Sequence, residues 1–362
     1  MKVGLGVYSG EWVPEEGISP HQVYRNDLAQ AGLAEKVGLD SIWYTEHHFL
    51  PETQYNPNVM GMCAAVSAVT SRITLGPSVV LGPLYHPIRL AEDCAMVDQL
   101  SGGRLVVGIG LGYRDEEYRG IGVQRRHRAP MTEELIEVLR RAWSGQPVDF
   151  HGRHFDFEDV GVSPAPCRPG GPPIWIAGYR DVTLERVARL GDGFIMDGGT
   201  DSTKFESAGG YNRDIFTRVE EMVALLRQAL LRHGRRYDDV EFAMTMGGFL
   251  SERGADDAWQ QVQDGYMRTR RVYGSWYGIP ESETSRWYPR LMTPAQHAAR
   301  RSEIWLGSPE GVLPLFERLR AIVGERLHVM FRCRYPGVPH ERTCASIRLL
   351  GQVRDRLVAT GS

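Results

Sequence analysis

The stretch WYTEHHF sets Glu46, His47 and His48 side by side directly after an apolar run. Imidazole, with an ordinary pKa of about 6.5, exchanges protons near neutrality, and a neighbouring carboxylate can orient its ring. Successive side chains alternate in extended backbone, so Glu46 and His48 should share one side while His47 takes the other. Proton handling by His47, oriented by Glu46, is one reading of this stretch, and a satisfied core histidine is the other. Metal catalysis finds no support, because there is no HExxH and no Cys and His cluster of zinc spacing. Nucleophilic catalysis fares no better, with no GxSxG elbow and no cysteine in a motif-like setting.

Two glycine-bearing turns could receive an anion or a planar ligand. GIGLG, from Gly108 to Gly112, follows a strand-like run, but a dinucleotide fingerprint would need glycine where Tyr113 stands. In AGYRDVT, from Ala177, a strand ends at Gly178 and a helix begins within a few residues, so free N–H groups are presented there. A plain turn with Asp181 as its N-cap explains the same residues.

The elements that would position these residues alternate. Strand-like runs begin at Lys2 (KVGLGVY), Asp40 (DSIWYTE), Ile73 (ITLGPSVVL), Leu105 (LVVGIGL), Pro173 (PIWIAG), Gly193 (GFIMD), Glu241 (EFAMTMGGFL) and Leu327 (LHVMFRC). Helical stretches are predicted over 24–37, 88–100, 132–143, 183–189, 216–233, 256–273, 309–323 and 341–358. The pattern is α/β, and its unbroken alternation favours a closed (β/α)8 TIM barrel with insertions in the loops at its C-terminal face over a doubly wound sheet. Functional loops of such a barrel follow the strands' C-terminal ends, which points to the segments after Glu46, Gly112, Asp197 and Phe249. Residues 1–362 are expected to form one domain, with a lid or insertion at about 251–306. There 273–305 carries Tyr273, Trp276, Tyr277, Trp287, Tyr288 and Trp305 among Gly, Pro and Ser. A covering loop or an interface accounts for those aromatics equally well.

Composition bounds the function classes. A net charge of −3, with 42 Lys plus Arg against 45 Asp plus Glu, argues against nucleic acid or an anionic membrane as partner. The densest basic run, RRHR from Arg125, reads as a solvated or phosphate-facing loop. Five scattered cysteines without CxxC, no secretory leader before KVGLGVY and no apolar run of spanning length lead to the expectation of a cytoplasmic protein with reduced thiols.

Nearly the whole chain resembles the bacterial luciferase-like flavin monooxygenases. The resemblance is carried by VGLGVY, EHHF, HPIRLAED, DQLSGGR, GIGLG, WIAG with ERVARLGDGF, LGSPEGV and the ending from YPGVPHERTC, in that order and spacing. It implies a barrel that binds reduced FMN at its C-terminal mouth and uses dioxygen, through a C4a-hydroperoxide, to oxygenate an organic substrate. By the same resemblance Glu46 and His47 match the flavin-side carboxylate and the catalytic histidine. Ser78 and Val79 match the pair lying against the isoalloxazine, often joined by a non-proline cis bond. Gly110 matches the flavin-facing position that is cysteine in luciferase, and Gly178 and Tyr179 match the phosphate turn. Leu111 stands where luciferase has an arginine on the phosphate. The anion would then rest more on backbone N–H groups, with Arg180 or Arg114 as substitutes, which suits an exchangeable flavin delivered by a separate flavin reductase.

A flavin site that uses oxygen must exclude water, and Trp276, Tyr277, Trp287 and Tyr288 are the candidate substrate lid. The resemblance also implies pairing into a homodimer, for which helices 24–37 and 88–100 would supply the apolar face. Two alternatives remain at this point: a deazaflavin-dependent oxidoreductase of the same fold, and a non-catalytic flavin-binding subunit, against which the presence of His47 argues. The substrate is not readable.

Overall fold

The computed structural model describes residues 1–50, 55–198 and 214–360. In chain order its strands are β1 (Lys2–Tyr8), β2 (Ser41–Tyr44), β3 (Thr74–Pro77), β4 (Val80–Leu81), β5 (Val107–Gly110) and β6 (Val148–His151). They continue with β7 (Asp156–Val160), β8 (Ile174–Ala177), β9 (Gly193–Asp197), β10 (Glu241–Leu250), β11 (Trp305–Gly307) and β12 (Leu327–Arg332). The bounds of β1, β9 and β10 are those expected from sequence. The single strand expected over 73–81 is instead broken into β3 and β4, with a cis peptide between Ser78 and Val79. Much of the segment after Asp197, one of the candidate functional loops, lies outside the described residues.

The chain divides into two compact units, one of Met1–Ser41, Met196–Ala224 and Phe242–Ser362, the other of Ile42–Ile195 with Leu225–Glu241. In the first, β12 pairs in parallel with β1 and with β10, and β11 adds to β10. All but the first residue of β1 are buried, as expected of a parallel strand covered on both faces. Helix Pro20–Lys36 begins where Ser19 accepts from the Gln22 amide at 3.2 Å and Pro20 presets the first turn. His328 is buried inside β12, its Nε2 2.5 Å from Ser41 Oγ. Burial first, then the charges of Lys2 and the N-terminus, pull its pKa down to about 3.

In the second unit β5 pairs in parallel with β4 and β8, and β8 with β9. Helix Val59–Val69, absent from the expected elements, is started by Asn58, whose side chain accepts from the Gly61 amide at 2.8 Å. The antiparallel hairpin β6–β7 is a further addition, fastened at its turn by Glu134, whose carboxylate accepts from the amides of Arg153, His154 and Phe155. Close approach explains the glycines of β5. A Cβ on Gly108 would stand 2.3 Å from the Pro77 carbonyl oxygen, and one on Gly110 would stand 2.4 Å from Val79 Cγ2.

Candidate active site

The exit of β2 carries two carboxylate–histidine pairs. Glu46, 1% exposed, accepts from His48 Nε2 at 2.7 Å and Tyr85 Oη at 2.6 Å on one oxygen, and from the Leu81 amide at 2.9 Å on the other. The expected alternation therefore holds, with Glu46 and His48 on one side. Burial opposes charge on His48, but the hydrogen bond and negative charge of Glu46, with Glu117 behind them, outweigh it and leave the pKa above the ordinary value. For Tyr85 burial and the Glu46 charge act together, so its phenol stays protonated and donating.

His47 faces a different carboxylate from the one expected. Its Nδ1 lies 3.4 Å from Glu117 Oε1. That oxygen also meets the His48 amide at 3.1 Å and Arg114 Nη1 at 3.1 Å, and the same guanidinium nitrogen donates to the His48 carbonyl at 2.8 Å. The expectation that Glu46 orients His47 is thus replaced by Glu117: Glu46 meets His48, Tyr85 and the Leu81 amide on the other side of the strand end, and the His47 ring contact is with Glu117. Tyr55 and Tyr113 set their rings edge-on to His47 at 5.2 and 6.4 Å. Burial is the largest influence on His47 and lowers its pKa, against the opposing pull of Glu117. Burial would raise Glu117, but the His47 and His48 hydrogen bonds and the Arg114 charge win, and its pKa falls.

Other predicted residues belong to the same unit. Ser78 is buried, and its amide donates to the Tyr44 carbonyl at 2.6 Å, tying the Ser78–Val79 bond to β2. Val79 lies against Gly110 at the end of β5, and Gly112 has a left-handed φ of 73° that turns the chain into helix Asp115–Ile121. The Leu111 carbonyl accepts from the Tyr118 hydroxyl. At the end of β8, a Cβ on Gly178 would meet Thr183 Oγ1 at 2.5 Å, so this turn is closed tightly. Asp181 is the first helical residue of Asp181–Leu190 rather than its cap. Arg180 occupies the cap position, with no side-chain hydrogen bond to the helix amides. Tyr179 and Arg180 are exposed.

The profile of luciferase-like monooxygenases matches residues 5–326. The chain belongs to the luciferase-like monooxygenase family. Among relatives of the family, the F420-dependent glucose-6-phosphate dehydrogenase of Amycolatopsis mediterranei is 32% identical over 50% of this chain and 56% of its own. The oxygenase component of the flavin-dependent trigonelline monooxygenase of Acinetobacter baylyi is 31% identical over 43% of each chain. The crystal structure of monooxygenase RslO1 from Streptomyces bottropensis superposes with a TM-score of 0.81 over 100% of both chains at 23% identity. The fold is the parallel (β/α)8 barrel of the luciferase-like enzymes.

A flavin-type cofactor fits the chemistry of these residues. Helix Asp181–Leu190 offers amides without a side-chain cap for a phosphate, and His47 offers a proton-exchanging ring. Arg114, one of the two arginines expected as substitutes at the phosphate, is buried, and its Nη1 donates to Glu117 and to the His48 carbonyl. Of the lid candidates, Trp276 ends the long helix Ala255–Trp276, its ring 4.7 Å from that of Tyr273, so the helix runs further than expected. Tyr277 is the cap position of that helix, Trp287 is buried against Gly274 with the Arg300 guanidinium 4.9 Å from its ring, and Tyr288 carries Arg271 at 3.9 Å. Among the described residues no helix is long and apolar enough to cross a membrane, and no group of side chains could hold a metal ion.

Proposed function

We propose that the chain is a reduced-FMN-dependent monooxygenase that oxygenates a small organic substrate, with His47 as its proton-handling residue. The observation carrying this reading is the buried His47 imidazole on the ionised Glu117, in the unit that also holds Ser78, Val79, Gly110, Leu111 and the turn Gly178–Arg180. Bound reduced FMN would supply the two electrons that activate dioxygen. Ser78 and Val79 would support the ring system, and Gly110 would leave room beside them. The amides beginning at Asp181 would hold the phosphate. With no arginine at position 111, the hold on the cofactor is expected to be weak, which fits delivery of reduced flavin by a separate reductase. His47 would accept a proton and return it, its lowered pKa keeping the ring neutral and ready near pH 7. Trp276, Tyr277, Trp287 and Tyr288 are proposed as residues of a substrate lid.

The same reading includes a homodimer. Helix Pro87–Ser101 exposes Met96 and Leu100, and the neighbouring helix Val59–Val69 exposes Val69, a patch that a second copy would cover. Light scattering of the wild type and Leu100→Glu checks it, a monomeric wild type being the result against.

The decisive experiment offers the protein reduced FMN and a reduced deazaflavin without oxygen, then adds oxygenated buffer. Binding of reduced FMN, with its reoxidation altered in the wild type and returned to the free-flavin time course in His47→Ala, is expected. Binding of the deazaflavin alone, with no binding of reduced FMN and no oxygen uptake, would overturn the oxygenase reading in favour of deazaflavin chemistry.

A further inference from the structure

We infer that Glu117, acting with Arg114, is the positioning residue that fixes which nitrogen of His47 carries the proton. Three donors converge on Glu117 Oε1: the His48 amide, Arg114 Nη1 and the His47 ring at Nδ1. Glu117 is 1% exposed, and Arg114 and His47 are buried beside it, so water does little to screen these contacts. A carboxylate facing a guanidinium and a backbone amide is held ionised and can only accept hydrogen bonds. The third donor must therefore be His47 Nδ1–H. The neutral ring then carries no proton on Nε2, which becomes the atom that takes one, and the resulting imidazolium is balanced by the Glu117 charge through Nδ1.

Arg114 has a second part in this. One guanidinium nitrogen bridges the Glu117 carboxylate and the His48 carbonyl, so the carboxylate is anchored to the backbone that carries His47. Side chain and backbone at this position cannot separate without losing at least one of these contacts. Glu46 acts on His47 only through its charge, its hydrogen bonds going to His48, Tyr85 and the Leu81 amide. Among the described residues, the groups acting on His47 include Glu117 and Arg114 from the β5 exit, Glu46 from its own strand end, and the rings of Tyr55 and Tyr113.

The catalytic meaning rests on the proposed function, but the tautomer does not, so the two are tested separately. Long-range proton–nitrogen NMR of the flavin-free, full-length protein with labelled histidine reads the tautomer and the titration of His47 directly. In the wild type the proton is expected on Nδ1. Glu117→Gln keeps an acceptor but removes the charge, so the tautomer should persist while the His47 midpoint falls by about one unit, a tenfold loss of proton affinity. In Glu117→Ala the proton should redistribute toward Nε2. The His328 signals, from another part of the chain, report that each variant is folded. A wild-type proton on Nε2, or an unmoved midpoint in folded Glu117→Gln, would overturn the inference. In a second arm, the acidic limb of turnover against pH with reduced FMN should move with the NMR midpoint. A limb that stays put while the NMR result holds counts against His47 as the proton handler and leaves the positioning intact.

Discussion

His47 and His328 are both buried, both held neutral by burial, and both engaged by a polar neighbour, yet their settings differ in kind. His328 lies within β12 and meets a serine hydroxyl, which offers no charge to stabilise an imidazolium. His47 stands past the end of β2, with a carboxylate on one ring nitrogen and that carboxylate backed by Arg114. Burial acts on both rings, but only His47 has a counter-charge that makes its protonated form attainable within the fold. A buried histidine becomes a proton carrier through the charge of its partner, and a hydroxyl partner leaves it a structural group.

The largest effect that could break this contrast is on turnover. Replacing His47 by alanine should lower turnover with reduced FMN by about 10²- to 10⁴-fold, the usual worth of a general acid or base, whereas His328→Gln should leave the rate per folded molecule unchanged. A His47→Ala enzyme within about threefold of wild type would remove the functional half of the comparison. His328 should declare itself in stability instead. Its folded pKa of about 3 lies below the unfolded value, so its contribution is complete above pH 6.5 and is lost as the pH falls toward 3. Denaturant unfolding of the wild type should show up to about 1.4 kcal/mol lost per pH unit in that window from this group, and His328→Gln should flatten the slope. An unchanged slope in a folded His328→Gln variant would mean that His328 titrates as freely as an exposed ring.

The two histidines were unequally legible. EHHF stands out because three polar residues end an apolar strand, and alternation correctly separated His47 from Glu46 and His48. Glu117 did not stand out. It is 70 residues from His47 in sequence and sits in DEEY, an acidic helix start of the kind that usually serves only the helix dipole. The one local hint was Arg114 three residues before it, a spacing at which side chains meet on a helix. The strands were readable because parallel strands buried on both faces are continuous apolar runs. Helix Val59–Val69 escaped for the same reason turned round: MGMCAAVSAV is apolar on every side and shows no 3.6-residue period. The hairpin β6–β7 escaped because its turn is held by Glu134 on a helix, outside its own sequence.

The smallest effect bears on whether the two carboxylate–histidine pairs act separately. Tyr85→Phe removes one donor from Glu46 and leaves the Leu81 amide and His48 in place. Loss of a hydrogen bond to a buried charge should cost about 1.5 kcal/mol, the low end for such bonds because two donors remain. With less of its charge satisfied by the phenol, Glu46 should lean more on His48, whose already raised pKa should rise further. His47 should hardly respond, because its contact runs through Glu117, and Tyr85 and Glu117 donate to and accept from different partners. Denaturant unfolding measures the first effect and histidine NMR titration the second. Equal movement of the His47 and His48 midpoints would show that the strand end is one coupled network, and Glu117 could then no longer be treated as acting on His47 alone.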